Sequence, residues 1–262
     1  MSEYQRQNYI DGDLQLAVFE HKATHFQPKY DGIWCACEIT PVDETTVVAQ
    51  YYSRSNQLKH SAILPNSMKL ITTVTLVGEF MFGTERAQDE QLYEKLFVFD
   101  VWGYNDKPYL ERWQLANQIV ERFAVDSFVL VPTLPVSAFA NFWRDQVVNN
   151  DTYEGVVFRS LNSTWDEPLI RQKHIVTTDF RVVGFVEGQG KYAGSLGALR
   201  AVLSLDDTKE TTIGGGLTDE ERHEIWQNQD SYLGRTCEVE GSGQFKSGLL
   251  RHPRFVRWHN EK

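Results

Sequence analysis

The stretch "HFQPKYDGIW", His25 to Trp34, decides how the rest of the chain is read. Its first half has the texture of a strand, and Asp31-Gly32 is a hairpin-type turn. Lys29 ends the strand just before that turn. A lysine beside a turn is ordinarily a solvated surface charge. The pattern Lys-x-Asp-Gly arises by chance in roughly one chain in thirty of this length. Alone, it carries no function. A nucleophilic Lys29 also meets a definite obstacle, because an ordinary lysine amine is neutral in only about one molecule per thousand near neutral pH, a penalty of roughly 4 kcal/mol. Asp31 deepens it, since an opposite charge favours the ammonium form. A reactive Lys29 therefore requires carboxylates elsewhere to hold a metal and basic groups to surround a phosphate.

Those residues follow in order. "SRSN" gives Ser53 and Arg54, "LVGEF" gives Glu79, and "LFVFDVW" gives Phe99 before Asp100. "YEGVVFR" gives Glu154, Gly155 and Arg159, and "LIRQKH" gives Arg171 and Lys173, alternating on one strand face. Singly, each has an ordinary reading as core aromatic or solvated charge. Together, from Lys29 to Lys173, they resemble the covalent nucleotidyltransferases: ATP-dependent DNA ligases, RNA ligases and mRNA capping enzymes. The five motifs of that family stand here in family order, and the resemblance extends over nearly the whole chain.

The resemblance implies that Lys29 attacks the α-phosphorus of ATP, with Asp31 and Lys173 completing the catalytic set. It assigns Gln27 to the adenine edge, where a carboxamide offers both a donor and an acceptor. Phe99 becomes the aromatic stacked on adenine. Glu79 lies near the ribose or a metal, Glu154 is the metal-linked glutamate, and Arg171 and Lys173 lie near the phosphates. Arg54 takes a place at the nucleotide and the nicked strand. Magnesium, with manganese as the alternative, would neutralise phosphate oxygens.

Outside these motifs the chain reads as short strands broken by turns. "IWCACEIT" alternates Ile33, Cys35, Cys37 and Ile39 against Trp34, Ala36 and Glu38. "PYLERWQLANQIVERF" predicts a helix opened by Pro108, with Leu110, Trp113, Ala116, Ile119, Val120 and Phe123 on one face. "SAFANFWRDQVV" predicts a second. After "RQKHIVTTDFRVVGF" glycines cluster between short strands, and Thr218 with Glu221 forms a capping box before one short helix. That texture suggests a small barrel, the OB-fold being the common one of its size. The expected architecture is α+β: a nucleotidyltransferase domain over 1–179, with ATP-grasp-like antiparallel sheets and helices, then an OB-fold domain over 180–262.

Composition bounds the function. The 262 residues are 41% hydrophobic and contain seven tryptophans, ample for a core. No apolar run is long enough to span a membrane, and the polar, acidic start of the chain is unlike a signal peptide, so the cytoplasm is the expected compartment. The three cysteines show no zinc spacing and read as ordinary small residues. The net charge of −10 argues against nucleic acid as a partner, yet the last stretch is locally basic, with Lys246, Arg251, Arg254, Arg257 and Lys262.

The C-terminal part chooses among family members. "GKYAGSLGALRAVL", "TTIGGGLTDEER" and "LLRHPRFVRW" resemble the OB domain of small DNA ligases. Capping enzymes end in an Arg-x-Asp-Lys motif that is absent after Arg254. The resemblance thus implies a minimal ATP-dependent DNA ligase, of a form found in viruses, phages and some bacteria. It would act as a monomer on nicked duplex DNA, with Arg54, Lys191, Lys246, Arg254 and Arg257 as DNA contacts. An RNA ligase, or a catalytically silent nucleic-acid-binding module, is the alternative. One departure stands out: the first motif ends in Trp34 where the family has arginine, and an indole cannot replace a guanidinium fork. Arg54 or another basic residue is expected to cover that contact, so that Trp34→Arg alters sealing only modestly.

Overall fold

The computed structural model describes residues 4, 6–82, 92–150, 152–203, 209–245 and 247–259. The chain divides into two compact units, Met1–Lys173 and His174–Lys262. Asp179 falls inside the first long strand of the second unit.

In the first unit the strands are β1 (Tyr9–Asp11), β2 (His25–Lys29), β3 (Ile33–Pro41), β4 (Thr46–Ser53), β5 (Leu58–Pro65), β6 (Val74–Phe80), β7 (Leu96–Val101), β8 (Phe128–Leu130), β9 (Leu134–Pro135), β10 (Gly155–Arg159) and β11 (Leu169–Lys173). They form a six-stranded sheet, β5-β4-β3-β6-β7-β8, and a five-stranded sheet, β1-β11-β10-β2-β9. Both mix antiparallel pairs with one parallel pair, β7–β8 and β1–β11.

The helices α1 (Leu14–Phe19), α2 (Tyr109–Phe123) and α3 (Phe139–Phe142) cover these sheets. Against the six-stranded sheet, α2 buries Ala116, Ile119 and Phe123 beside Cys35, Cys37, Leu76 and Val98. Its buried stripe differs from the expected one. Tyr109 and Arg112 lie inward, while Leu110 is 38% exposed. The cause is polar: Arg112 is drawn in by the buried Asp100 carboxylate. On the other sheet, α1 and α3 pack on Phe26, Val156, Phe158 and Ile170. Because side chains alternate across a strand, the opposite face of β2, β10 and β11 is left for Gln27, Lys29, Val157, Arg159, Arg171 and Lys173. The segment expected as a second helix is less regular. It runs as a 3-10 turn at Val136–Ala138, then α3, then a π-helix over Trp143–Asn149.

The second unit holds β12 (Val176–Glu187), β13 (Leu196–Val202), β14 (Thr211–Ile213), β15 (Thr236–Gly241) and β16 (Arg254–Trp258), ordered β14-β13-β12-β15-β16. A bridge between Gly215 and Arg254 joins the two edges, with Phe255 N–H donating to the Gly215 carbonyl at 2.9 Å. The sheet therefore curls into a small barrel whose edges meet at this bridge. Helix α4 (Asp219–Gln227) carries the expected capping box, Thr218 with Glu221, and buries Ile225 in the barrel core. All three cysteines are free and buried, and burial pushes the Cys35 and Cys237 thiols up to about 12.

Candidate active site

Pairing in the five-stranded sheet sets the site. Gly155 of β10 lies opposite Lys29 of β2 on one side and opposite Lys173 of β11 on the other. A Cβ at position 155 would stand 2.0 Å from the Gln172 carbonyl oxygen, so only glycine fits here. The preceding residue, Glu154, is 5% exposed and accepts from both lysine ammonium groups, Lys29 on one oxygen and Lys173 on the other. Burial opposes ionisation of Glu154, but the two lysines outweigh it and hold its pKa down at about 2. For Lys29 the balance is similar. Burial pushes the ammonium down, while Glu154 and Glu79 push harder the other way and keep it above its ordinary value. At rest, then, Lys29 is a cation held by carboxylates.

The turn after Lys29 explains the glycine of the opening stretch. A Cβ on Gly32 would meet the Glu79 Cγ and the Phe80 carbonyl oxygen, both at 2.9 Å. The turn thus presses against β6, and Glu79 stands within electrostatic reach of Lys29. Burial raises the Glu79 carboxyl to about 7, with Lys29 and Arg6 opposing and Glu154 and Asp31 adding to the shift. Asp31 acts on the site at least through this charge.

Gln27, Lys29, Glu79 and Phe99 line one pocket with Arg6, Tyr9, Tyr30 and Arg159. It encloses only about 20 Å³, so a nucleotide-sized ligand can enter only if side chains turn aside. The Arg159 guanidinium lies 5.7 Å from the Phe99 ring centroid and 4.4 Å from that of Tyr109. Gln27 is 2% exposed; its oxygen accepts from Arg159 Nε at 2.9 Å and its Nε2 donates to Thr133 Oγ1 at 3.2 Å. A base reaching Gln27 must exchange with these partners. Arg159 was visible in the sequence as the end of the Glu154 motif. Its link to Gln27, 132 residues away, was not.

Arg54 and Arg171 stand elsewhere. They line an adjacent groove of about 650 Å³, which shares Arg6 and Tyr9 with the Lys29 pocket. Arg171 forks onto Asp11 at 2.5 and 3.1 Å, and Asp11 holds it above its ordinary pKa despite its partial burial. Another cavity, of about 580 Å³, lies around His21, Thr24, Ser160 and Pro168.

Trp34 is 6% exposed, clustered with Tyr4, Ala36, Val77 and Trp165. This corrects the expectation for Trp34→Arg, because a guanidinium there would replace a core side chain. In the second unit, Lys191 Nζ lies 4.4 Å over the Tyr192 ring and 3.7 Å from Asp219. Arg254 and Arg257 are exposed and face Glu240 at 4.0 Å and Glu238 at 2.6 Å. Lys246 and Lys262 lie outside the described residues.

Residues 187–259 match the family model of the DNA ligase OB-like domain. In shape, the chain is similar to a solved structure described as "DNA binding with a minimal scaffold: Structure-function analysis of Lig E DNA ligases", with a TM-score of 0.66 at 16% identity, covering 99% of this chain and 100% of that one. This chain has a DNA-ligase fold. Two further structures of that fold, "Pmar-Lig_PreS3" and "Pmar-Lig_Pre.", match with TM-scores of 0.66 and 0.65, each at 19% identity. The matches cover 96% and 98% of this chain and 67% and 68% of those chains. A search of curated proteins by sequence finds no match. The fold is α+β, a mixed-sheet unit followed by an OB-like barrel. Among the described residues no helix is long and apolar enough to cross a membrane.

Proposed function

We propose that this ligase-fold chain is an ATP-dependent DNA ligase that seals nicks in duplex DNA, acting as a monomer in the cytoplasm of a cell or of an infected host. The observation that carries the reading is the Lys29–Glu154–Lys173 constellation on one sheet face, beside Gln27, Glu79 and Phe99. Residues 1–179 would serve as the adenylation domain and 180–262 as the DNA-binding OB domain.

In this reading the Lys29 amine attacks the α-phosphorus of ATP. An N–P bond forms, the bond to pyrophosphate breaks, and pyrophosphate leaves. The AMP then passes to the 5′-phosphate of a nick, returning Lys29 as a free amine. Finally the 3′-hydroxyl attacks that phosphate and AMP departs. Before the first step Lys29 must lose its proton, and Glu154 is the group in contact with it. Lys173 shares Glu154, and in this reading it passes from that carboxylate to a phosphate oxygen. Glu79 and Glu154 fit a hard divalent cation, since both are oxygen donors and the half-buried Glu79 carboxyl is kept partly protonated near neutral pH. Magnesium held there would neutralise phosphate oxygens and cancel the negative charge that keeps Lys29 protonated.

The test is direct. The chain and its Lys29→Ala variant are incubated with magnesium and ATP labelled at the α-phosphate, then denatured. Label on the parent chain alone supports the reading, and nicked DNA against nicked RNA duplexes then separates the two ligase types. Absence of label from both, with GTP and NAD failing too, overturns it.

A further inference from the structure

The groove beside the Lys29 pocket has chemistry of its own. Arg6, Arg54 and Arg171 line it, with Asp166 as the acid among its lining residues. In a chain of net charge −10 this is a local concentration of guanidinium groups. Arg171 is committed to Asp11. Arg54 is exposed on the turn after β4. Arg6 differs from both: its guanidinium stacks 4.4 Å over the Tyr9 ring, and its Nε is buried with no hydrogen-bond partner among the described residues. A buried, unsatisfied donor on a charged group is costly unless an acceptor meets it.

The segment that carries Arg6 is pinned. Gln7, 5% exposed, donates to the Trp165 carbonyl at 3.2 Å and accepts from Arg159 Nη1 at 3.1 Å. Arg159 in turn donates to Gln27. Arg6 is thereby fixed where the groove and the Lys29 pocket meet, since it lines both. Behind the groove, Trp34 packs in one cluster with Trp165. Trp165 lines the groove and Trp34 is buried against it, so position 34 presents no cation to the groove.

Resting on the reading above, we propose that Arg6 recognises the terminal 5′-phosphate of the nucleic acid, with Arg54 as the second guanidinium on the same group. The planar fork of arginine suits a phosphate monoester better than a point charge does. The N-terminal segment thus supplies the contact that the tryptophan at position 34 cannot make.

The test measures binding of the full chain, without ATP or divalent cation, to nicked duplexes that end in either a 5′-phosphate or a 5′-hydroxyl. Arg6→Met keeps an alkyl stem against Tyr9 and removes the guanidinium, and Arg6→Lys keeps the charge alone. The parent chain is expected to favour the phosphate by about tenfold, the worth of a charged hydrogen-bonded pair. That ratio should fall towards one in Arg6→Met, with Arg6→Lys between, while circular dichroism reports that both variants are folded. An unchanged ratio in Arg6→Met, or no preference in the parent chain, overturns the inference. In a parallel arm, a raised ATP requirement for labelling Lys29 in Arg6→Met, with the ratio intact, assigns the groove to the phosphates of the nucleotide and also overturns it. Labelling of Lys29 in the parent chain is scored separately, so failure here is distinct from failure of the ligase reading.

Discussion

Lys29 and Glu154 lie 125 residues apart in the chain and meet as a hydrogen-bonded ion pair at the edge of the candidate pocket. Their opposition sets the pH behaviour of the site. Glu154, lowered from 4.5 to about 2, contributes stability that is present above 4.5 and is lost as pH falls towards 2. Glu79 works in the other direction. Raised from 4.5 to about 7, it binds its proton more tightly folded than unfolded, so stability falls as pH rises from 4.5 to 7. Without divalent cation, denaturant midpoints of the parent chain should decline over that upper window. Glu79→Gln should flatten the decline. An equal decline in the variant would show that Glu79 is not its source.

Arg112 and Asp100 are both fully buried and form a forked pair, with Nε–Oδ1 at 3.0 Å and Nη2–Oδ2 at 3.2 Å. Arg112 also donates to the carbonyls of Lys107 and Ser163, tying α2 to two loops. Arg112→Met leaves the buried Asp100 carboxylate with only the Val101 N–H and a more distant Arg159 Nη1 at 3.8 Å, and should cost about 3–5 kcal/mol. Adding Asp100→Asn should recover part of that loss. Urea unfolding of the single and double variants measures both, and a double variant as unstable as the sum of its parts would deny the coupling.

Trp34→Arg should destabilise the first unit by about 3–5 kcal/mol, as for removal of a large core aromatic. Trp34→Phe should cost much less. The two denaturation midpoints give the comparison. A stable, fully soluble Trp34→Arg protein would mean that the guanidinium escapes the Tyr4–Trp165 cluster.

Arg254 and Arg257 lie on β16 opposite Glu240 and Glu238 of β15. To meet DNA they must exchange those carboxylates for phosphates. Binding to nicked duplex should weaken as salt rises, and loss of either arginine should reduce the logarithmic slope by about one. Titration at several salt concentrations reads this. A slope that stays the same in Arg254→Ala and Arg257→Ala would place the DNA on another face.

Much of the candidate site was legible because its residues keep strand periodicity. Gln27 and Lys29, and Arg171 and Lys173, alternate in sequence and so share a face wherever their strands pair. The capping box of α4 was equally local, a contact over three residues. Helix α2 was legible in its extent but not in its inward face. Arg112 stands outside the apolar face read from the sequence, and Asp100 of β7 is what brings it inward. The π-turn at Trp143–Asn149 carries no signal in apolar spacing, since its residues read as an ordinary amphipathic helix.

The sequence by itself determined which side chains carry the chemistry and which of them lie on a common strand face, because backbone geometry fixes alternation over a few residues. Tertiary structure decided the rest. It chose the partners of each strand, set Glu154 between two lysines, and joined Gly215 to Arg254 to close the barrel. It also buried Trp34 beside Trp165 and set Arg6 in the lining of a groove. Such placements come from many weak contacts between distant segments, each favourable only once the others have formed, and no local pattern encodes them.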